Sequence, residues 1–302
     1  MKNLTRTKIE GFAKDLGFDL VGFSPARLAP EYLEVYERWL SEGLNADMDY
    51  MQKIEARRDL NKVLPGAKTV IVLAMNYYHD QEPLKENEGR IARYAYGRDY
   101  HKIIGKKLKQ LEDFIDAPTK SYVDTGPILE RAFAEQAGLG TLGKNGCLIT
   151  QPYGSWVFLC EIITTLDLAE EPQPRKDLCG SCTRCIDACP ARAIIAPGVV
   201  DARRCLSYLT IEHKGEIPPT LKKKITETKR IFGCDICQEV CPHNCRQVVH
   251  EHKDLRDPCI AGDAINRKDF SSLKDDQEFL KTYAGSPLMR PKREGIKRNL
   301  ST

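Results

Sequence analysis

The chain has 302 residues, enough for one large domain or two ordinary ones, and its 41% apolar and 29% charged content excludes a disordered chain. The net charge of +3 is too small to announce a nucleic-acid ligand in bulk, so only local clustering could do so. Residues 1–10 lack the apolar core of a secretory signal, and the longest apolar runs, 69–75 and 156–160, fall far short of the ~18 residues of a membrane span. A cytoplasmic protein without a membrane partner is expected.

Apolar periodicity predicts a helix over 4–16 that stops at Gly17, a short strand over 19–23 and an amphipathic helix over 33–40. The β-branched run 69–75 reads as a buried strand. A helix over 101–114, a strand over 120–123, a helix over 128–137 and a central strand over 155–164 follow. The Pro-rich, charged stretch 170–176 reads as a linker. The expected organisation is an α/β or α+β domain over 1–170, a ferredoxin-like module over 171–245 and a polar, basic extension over 246–302.

Twelve cysteines in a cytoplasmic chain point to metal or redox chemistry rather than disulfides. Cys179-x2-Cys182-x2-Cys185-x3-Cys189-Pro190 has the bacterial-ferredoxin spacing for a 4Fe–4S cluster. A second, altered half reads Cys234-x2-Cys237-x3-Cys241-Pro242, and Cys205 can supply its missing ligand. In that motif the fourth Cys crosses to the other cluster. One cluster would then take Cys179, Cys182, Cys185 and Cys241, and the other Cys189, Cys205, Cys234 and Cys237. A pair of zinc sites is the alternative, since zinc also uses Cys-x2-Cys. Cys147 and Cys160 lie in apolar stretches and read as small buried hydrophobes, while Cys245 and Cys259 receive no role.

Gly138-Leu-Gly140-Thr-Leu-Gly143 fits a dinucleotide fingerprint, and Gly143-Lys144 nearly fits a phosphate loop. Both need a strand before and a helix after, whereas this stretch follows a predicted helix and precedes a strand-like segment.

Several segments together resemble the epoxyqueuosine reductase family. They include Met48-Asp-Tyr-Met51, Arg57 ahead of Leu64-Pro-Gly-Ala67, Ala92-Arg-Tyr-Ala95 and Gly97-Arg-Asp-Tyr-His101. Val123-Asp-Thr-Gly-Pro-Ile-Leu-Glu-Arg131, Gly143-Lys-Asn145, Gly154-Ser-Trp156, the eight cysteines, the 204–212 segment and Phe232-Gly-Cys-Asp-Ile-Cys-Gln238 continue the match in order. Leu60 stands where a proline is more usual, and the chain stops about where many members begin a helical-repeat domain that helps to hold tRNA.

The resemblance implies a cobalamin between the first domain and the two-cluster module. It implies reduction of epoxyqueuosine to queuosine at the tRNA wobble position, with electrons from an unidentified low-potential donor. The family's motif puts a proton donor on Asp124, whose pKa burial should raise; a helix cap is the structural alternative. Arg57, Tyr100, His101, Asp124, Lys144, Asn145 and Leu148 are the expected cofactor contacts. A dehalogenase-like corrinoid reductase of small molecules and a two-cluster electron carrier are the competing readings. Three segments are basic: 90–109 holds seven Lys/Arg against one acid, 213–230 six against two, and 281–302 six against one. On one face they would follow tRNA phosphates, with Tyr94, Tyr96 and Tyr100 offering rings for bases. Nothing in the pattern calls for more than a monomer.

Overall fold

The computed structural model describes residues 4–172, 176–245 and 247–301, so the stretch read as a linker lies partly outside the described residues. The first part of the chain contributes α1 (Arg6–Asp15), β1 (Leu20–Pro25), α2 (Pro30–Ser41), α3 (Ile54–Arg58), β2 (Thr69–Asn76) and β3 (Glu88–Ile91). Then come α4 (Tyr100–Ile115), β4 (Thr119–Tyr122), α5 (Glu130–Gln136), β5 (Thr141–Leu142), β6 (Leu148–Ile149) and β7 (Val157–Thr164). Every helix and strand expected here from periodicity is present.

The main sheet has the order β1-β2-β7-β4, and every pair in it is antiparallel. The layer is therefore of α+β type, and β7 is an inner strand as expected. All eight residues of β2 are buried, because both faces of the sheet are covered. Ile71, Leu73 and Met75, with Cys160 and Ile162, pack against α1 and α4. Val70, Val72 and Ala74, with Ile163, pack against Phe133 and Ala134 of α5 and Leu148 of β6.

α4 buries Tyr100, Ile104, Leu108, Leu111 and Ile115 on one stripe. Asp99 caps its start by accepting from the His101 amide at 3.1 Å. This fixes Tyr100 and His101 in the first turn, beside the end of β4. The Gly-rich stretch is a helix end and a hairpin: Gly138 leaves α5 at φ +77°, and a side chain at Gly140 would collide with the Ile149 carbonyl. Helix then hairpin is the reverse of a dinucleotide site.

The cysteine-bearing part holds α6 (Arg184–Ala188), β8 (Ile194–Ala196), β9 (Val199–Val200), α7 (Leu206–Ile211), α8 (Pro219–Thr228), β10 (Arg230–Phe232) and α9 (Ile236–Glu239), with α6 packed on α9. The tail adds α10 (Lys253–Arg256), β11 (Ala264–Asn266), α11 (Arg267–Ser272), α12 (Asp276–Tyr283) and α13 (Lys292–Leu300). A second sheet joins all three stretches in the order β10-β3-β11. Around it Ile91, Ile231, Phe232, Ile265, Phe279 and Leu288 form one core. Asn299, fully buried, donates to the Thr210 and Ile231 carbonyls, both at 2.8 Å. The tail is thus an integral layer rather than a polar extension. Among the described residues no helix is long and apolar enough to cross a membrane.

Because Phe279 is 2% exposed in this shared core, Phe279→Ala should lower unfolding stability by about 3–5 kcal/mol, read by denaturant titration. An unchanged midpoint would mean that the tail is not part of the cooperative unit.

Candidate active site

Asp124 lies just past β4 with a left-handed backbone, φ +59°. It does not cap α5, whose N-cap residue is Leu129. Its side chain keeps 61% of its surface open, yet lies deep enough among its neighbours for burial to act on its charge. Tyr100 Oη donates to Asp124 Oδ2 at 2.9 Å, and His101 Nε2 stands 3.5 Å from the same oxygen. His101 Nδ1 is 2.7 Å from Asp99 Oδ1. The Tyr100 ring is fixed by stacking on Phe158 at 4.2 Å and on His101 at 4.1 Å.

Burial works against a charged His101, but the Asp124 and Asp99 carboxylates outweigh it and raise its pKa to about 9. Burial and the nearby Asp124 carboxylate push the Tyr100 hydroxyl well above its ordinary range, which keeps it a donor. For Asp124 itself, burial pulls upward, but the bonds from His101 and Tyr100 win and the net shift is downward. This corrects the expectation of a raised Asp124 pKa. The proton is stored on the imidazolium next door, because two carboxylates flank that ring.

Sequence reading missed five residues here. Asp124 N–H donates to Glu130 Oε1 at 2.6 Å. Behind Glu130 lies Glu161 of β7, a fully buried carboxyl. Tyr50, 46% exposed, shares an electrostatic neighbourhood with Glu212, Arg290 and Asp124. Arg290 donates to both Glu212 oxygens, at 3.0 and 2.8 Å. Glu130 and Tyr50 lie inside the family-like segments, six residues after Asp124 and within Met48–Met51, yet only folding brings them to the carboxylate. Glu161, an acid in an apolar strand, was the one local signal available.

The other expected cofactor contacts fall elsewhere. Lys144 Nζ donates to the Gly180 and Cys182 carbonyls at 2.6 and 3.0 Å, strapping the first cysteine loop. Asn145 reaches the Cys237 carbonyl at 3.5 Å. Leu148 is a core residue, 3% exposed. Arg57 is also buried: its guanidinium lies over the Tyr36 ring, one nitrogen donates to the Lys53 carbonyl at 2.8 Å, and Nε has no partner among the described residues.

Cys179, Cys182, Cys185 and Cys241 line one cavity together with Lys144 and Asn145. Cys205 neighbours Cys189, Cys234 neighbours Cys205, and Cys237 neighbours both Cys234 and Cys205. The first four thiols share one cavity, and the other four are linked by these pairwise proximities. Cys160 is buried in the core as expected. Cys147 is not merely a buried hydrophobe, since its thiol meets Cys237. Among the described residues, no three His, Cys, Asp or Glu side chains stand close enough to hold a single metal ion.

The basic segments are largely consumed within the fold. Arg93 bonds Glu239 at 2.9 Å and the His79 carbonyl, and Arg230 bonds Glu239 at 2.6 Å. Arg293 and Arg298 cap backbone carbonyls. Lys102, Lys106, Lys222, Lys223 and Lys292 remain exposed. The rings expected to receive bases are also occupied: Tyr100 packs on Phe158, Tyr94 on Phe232 and Tyr96 on His79.

Two family descriptions match the chain: "Epoxyqueuosine reductase QueG, DUF1730" over residues 57–125 and "4Fe-4S double cluster binding domain" over 178–244. The epoxyqueuosine reductase of Gloeobacter violaceus is 44% identical over 98% of this chain and 94% of its own. That of Pseudomonas aeruginosa is 38% identical over 97% of this chain and 83% of its own. Among solved structures, an epoxyqueuosine reductase with an epoxyqueuosine-modified tRNA-Tyr stem loop superposes with TM-score 0.89 at 34% identity, covering 98% of this chain and 79% of that one. The Bacillus subtilis enzyme, described with its catalytic aspartate loop swung out of the active site, gives 0.87 at 32% identity, covering 98% and 79%. A catabolic reductive dehalogenase, at 16% identity and TM-score 0.53, covering 99% of this chain and 38% of that one, shares the fold alone. With relatives of 38–44% identity aligned along nearly the whole chain, this protein belongs to the epoxyqueuosine reductase family of oxidoreductases.

Proposed function

We propose that this protein reduces epoxyqueuosine to queuosine at the wobble position of tRNA, in the cytoplasm, using two 4Fe–4S clusters and a cobalamin. The observation that carries the reading is a carboxylate bonded to Tyr100 and 3.5 Å from the His101 imidazole, in a chain that also gathers four cysteines around one cavity. The reaction consumes two electrons and two protons. Both epoxide C–O bonds break, the oxygen leaves as water and the ring carbons form an alkene.

The donor sets fit the groups assigned to them. Cys179, Cys182, Cys185 and Cys241 would hold one cluster, and Cys189, Cys205, Cys234 and Cys237 the other. Arg57 and Asn145 carry hydrogen-bonding groups suited to the amide-rich edge of a corrinoid, and the orphaned Arg57 Nε is a buried donor in want of such a partner. Lys144 and Leu148 would shape the same region, and Tyr100 and His101 its reacting side. When bound, cobalamin would supply a low-potential metal centre able to attack or reduce the epoxide, chemistry beyond any side chain.

Asp124 is the group we place at the epoxide oxygen. It rests ionised, so its proton comes from His101. A bound substrate that lifts the carboxylate pKa and closes the 3.5 Å gap would let one proton pass from Nε2 to Oδ2, and the second proton comes from solvent. Tyr100 holds that oxygen in place throughout. Tyr50, half-exposed beside Asp124, offers a ring for the splayed base, and the exposed lysines of the basic segments offer charge to the RNA backbone.

The test is anaerobic. Protein loaded with clusters and cobalamin, given a low-potential reductant and epoxyqueuosine-containing tRNA, should yield queuosine by nucleoside mass spectrometry. Asp124→Asn should lower kcat about 10²–10⁴-fold with cobalamin still bound. Failure to convert either tRNA or an anticodon stem-loop would reject the reading.

The pH profile has a defined sign. His101 has its pKa raised, so its proton and its contribution to stability are fully present below 6.5 and disappear as pH rises through about 9. The rate should therefore fall on the alkaline side with an apparent pKa near 9, belonging to the His101–Asp124 pair. His101→Gln should remove that limb.

Cys205→Ala should leave about half the iron and sulfide of the parent protein, measured by elemental and sulfide assay. Retention of the full content would exclude Cys205 as a ligand.

A further inference from the structure

The loop that carries Asp124 is tied down from behind. Asp124 N–H donates to Glu130 Oε1 at 2.6 Å, and this bond holds the backbone in its left-handed turn. Glu130 opens α5, which packs against β7, where Glu161 points to the same side. Glu161 is 0% exposed, and neither of its oxygens meets a donor among the described residues. Its register partner on β4 is Tyr122, two residues before Asp124. The two glutamate carboxyls are close enough to act on each other's charge.

Two ionised carboxylates cannot share such a site. Carboxylate oxygens only accept, so contact between them requires a proton on one. A proton shared by Glu130 and Glu161 satisfies both. Glu130 then keeps one oxygen for the Asp124 amide and uses the other toward Glu161.

We propose that Glu161 is a positioning residue which, through a proton shared with Glu130, locks the Asp124 loop in its working conformation. The charged or titratable groups facing the pair are Asp124, Arg131 and Cys160. Burial pushes the Glu130 carboxyl up to about 8, and the nearby Asp124 charge adds to the effect, in keeping with a pair that retains one proton at neutral pH. The role in turnover rests on the proposed reaction, but the shared proton and the latch do not.

Two variants separate the possibilities. Glu161→Gln keeps the shape, donates an N–H to Glu130 and leaves the pair with one negative charge, so kcat should stay within about threefold of the parent. Glu161→Leu removes the partner. It should speed exchange of the Asp124 amide hydrogen about tenfold or more and lower kcat about 10- to 100-fold at unchanged KM. Cluster and cobalamin absorbance serve as the folding control.

The infrared difference spectrum of parent minus Glu161→Gln, in heavy water, should contain the carbonyl stretch of a buried protonated carboxyl. Absence of that band overturns the shared proton, and unchanged amide exchange in a loaded Glu161→Leu protein overturns the latch. Should Glu161→Leu fail to load its clusters, the infrared comparison decides alone. Neither readout depends on turnover, so failure of the proposed reaction would be seen separately.

Discussion

His101 stands between two carboxylates, 2.7 Å from Asp99 and 3.5 Å from Asp124, and this imidazolium sets the charge of the whole corner. It holds a proton well past neutrality and keeps Asp124 ionised and oriented. Tyr100 takes part only because its ring is clamped on Phe158, which faces the same core as α4. The apolar stripe of α4 and the register of the main sheet therefore decide where a proton is stored. Loss of the stripe would disperse the ion pair, since an exposed His–Asp pair is worth little by itself.

The redox module reaches this corner through a few buried contacts. Asp235, between Cys234 and Cys237, accepts the Arg93 amide at 2.8 Å, and the Arg93 guanidinium lies 4.8 Å over the Trp156 ring. Lys144 and Asn145 meet one cysteine loop each. With β3 paired to both β10 and β11, the cysteine loops are fixed to the first domain at several points. Such rigidity suits electron transfer, in which centres must keep their separation through each turnover.

The basic residues teach a related lesson. Lys/Arg-rich segments along the chain suggest a continuous positive face, yet Arg93, Arg230, Arg293 and Arg298 are spent on internal carboxylates and carbonyls. Arginine suits this work because its planar fork satisfies several acceptors at once. Lys102, Lys106, Lys222, Lys223 and Lys292, more strongly hydrated, stay outside and contribute to what positive surface remains.

Local spacing was legible in the sequence. The positions of the helices and strands through residue 164 and the gathering of Cys179, Cys182 and Cys185 follow from separations of a few residues, where chain geometry alone restricts what is possible. Asp124 could be singled out from its motif, but its charge could not, because that depends on His101, twenty-three positions away, and on the opposing effect of burial. The Glu130–Glu161 contact, the exposed Tyr50 and the role of the tail in a shared core were equally hidden. By itself the sequence determined which elements form along the first domain and the cysteine spacing of a 4Fe–4S double cluster domain. Only the tertiary structure decided which carboxylates meet, which ring faces are free and where the proton rests, because electrostatics and desolvation act through space between residues far apart in the chain.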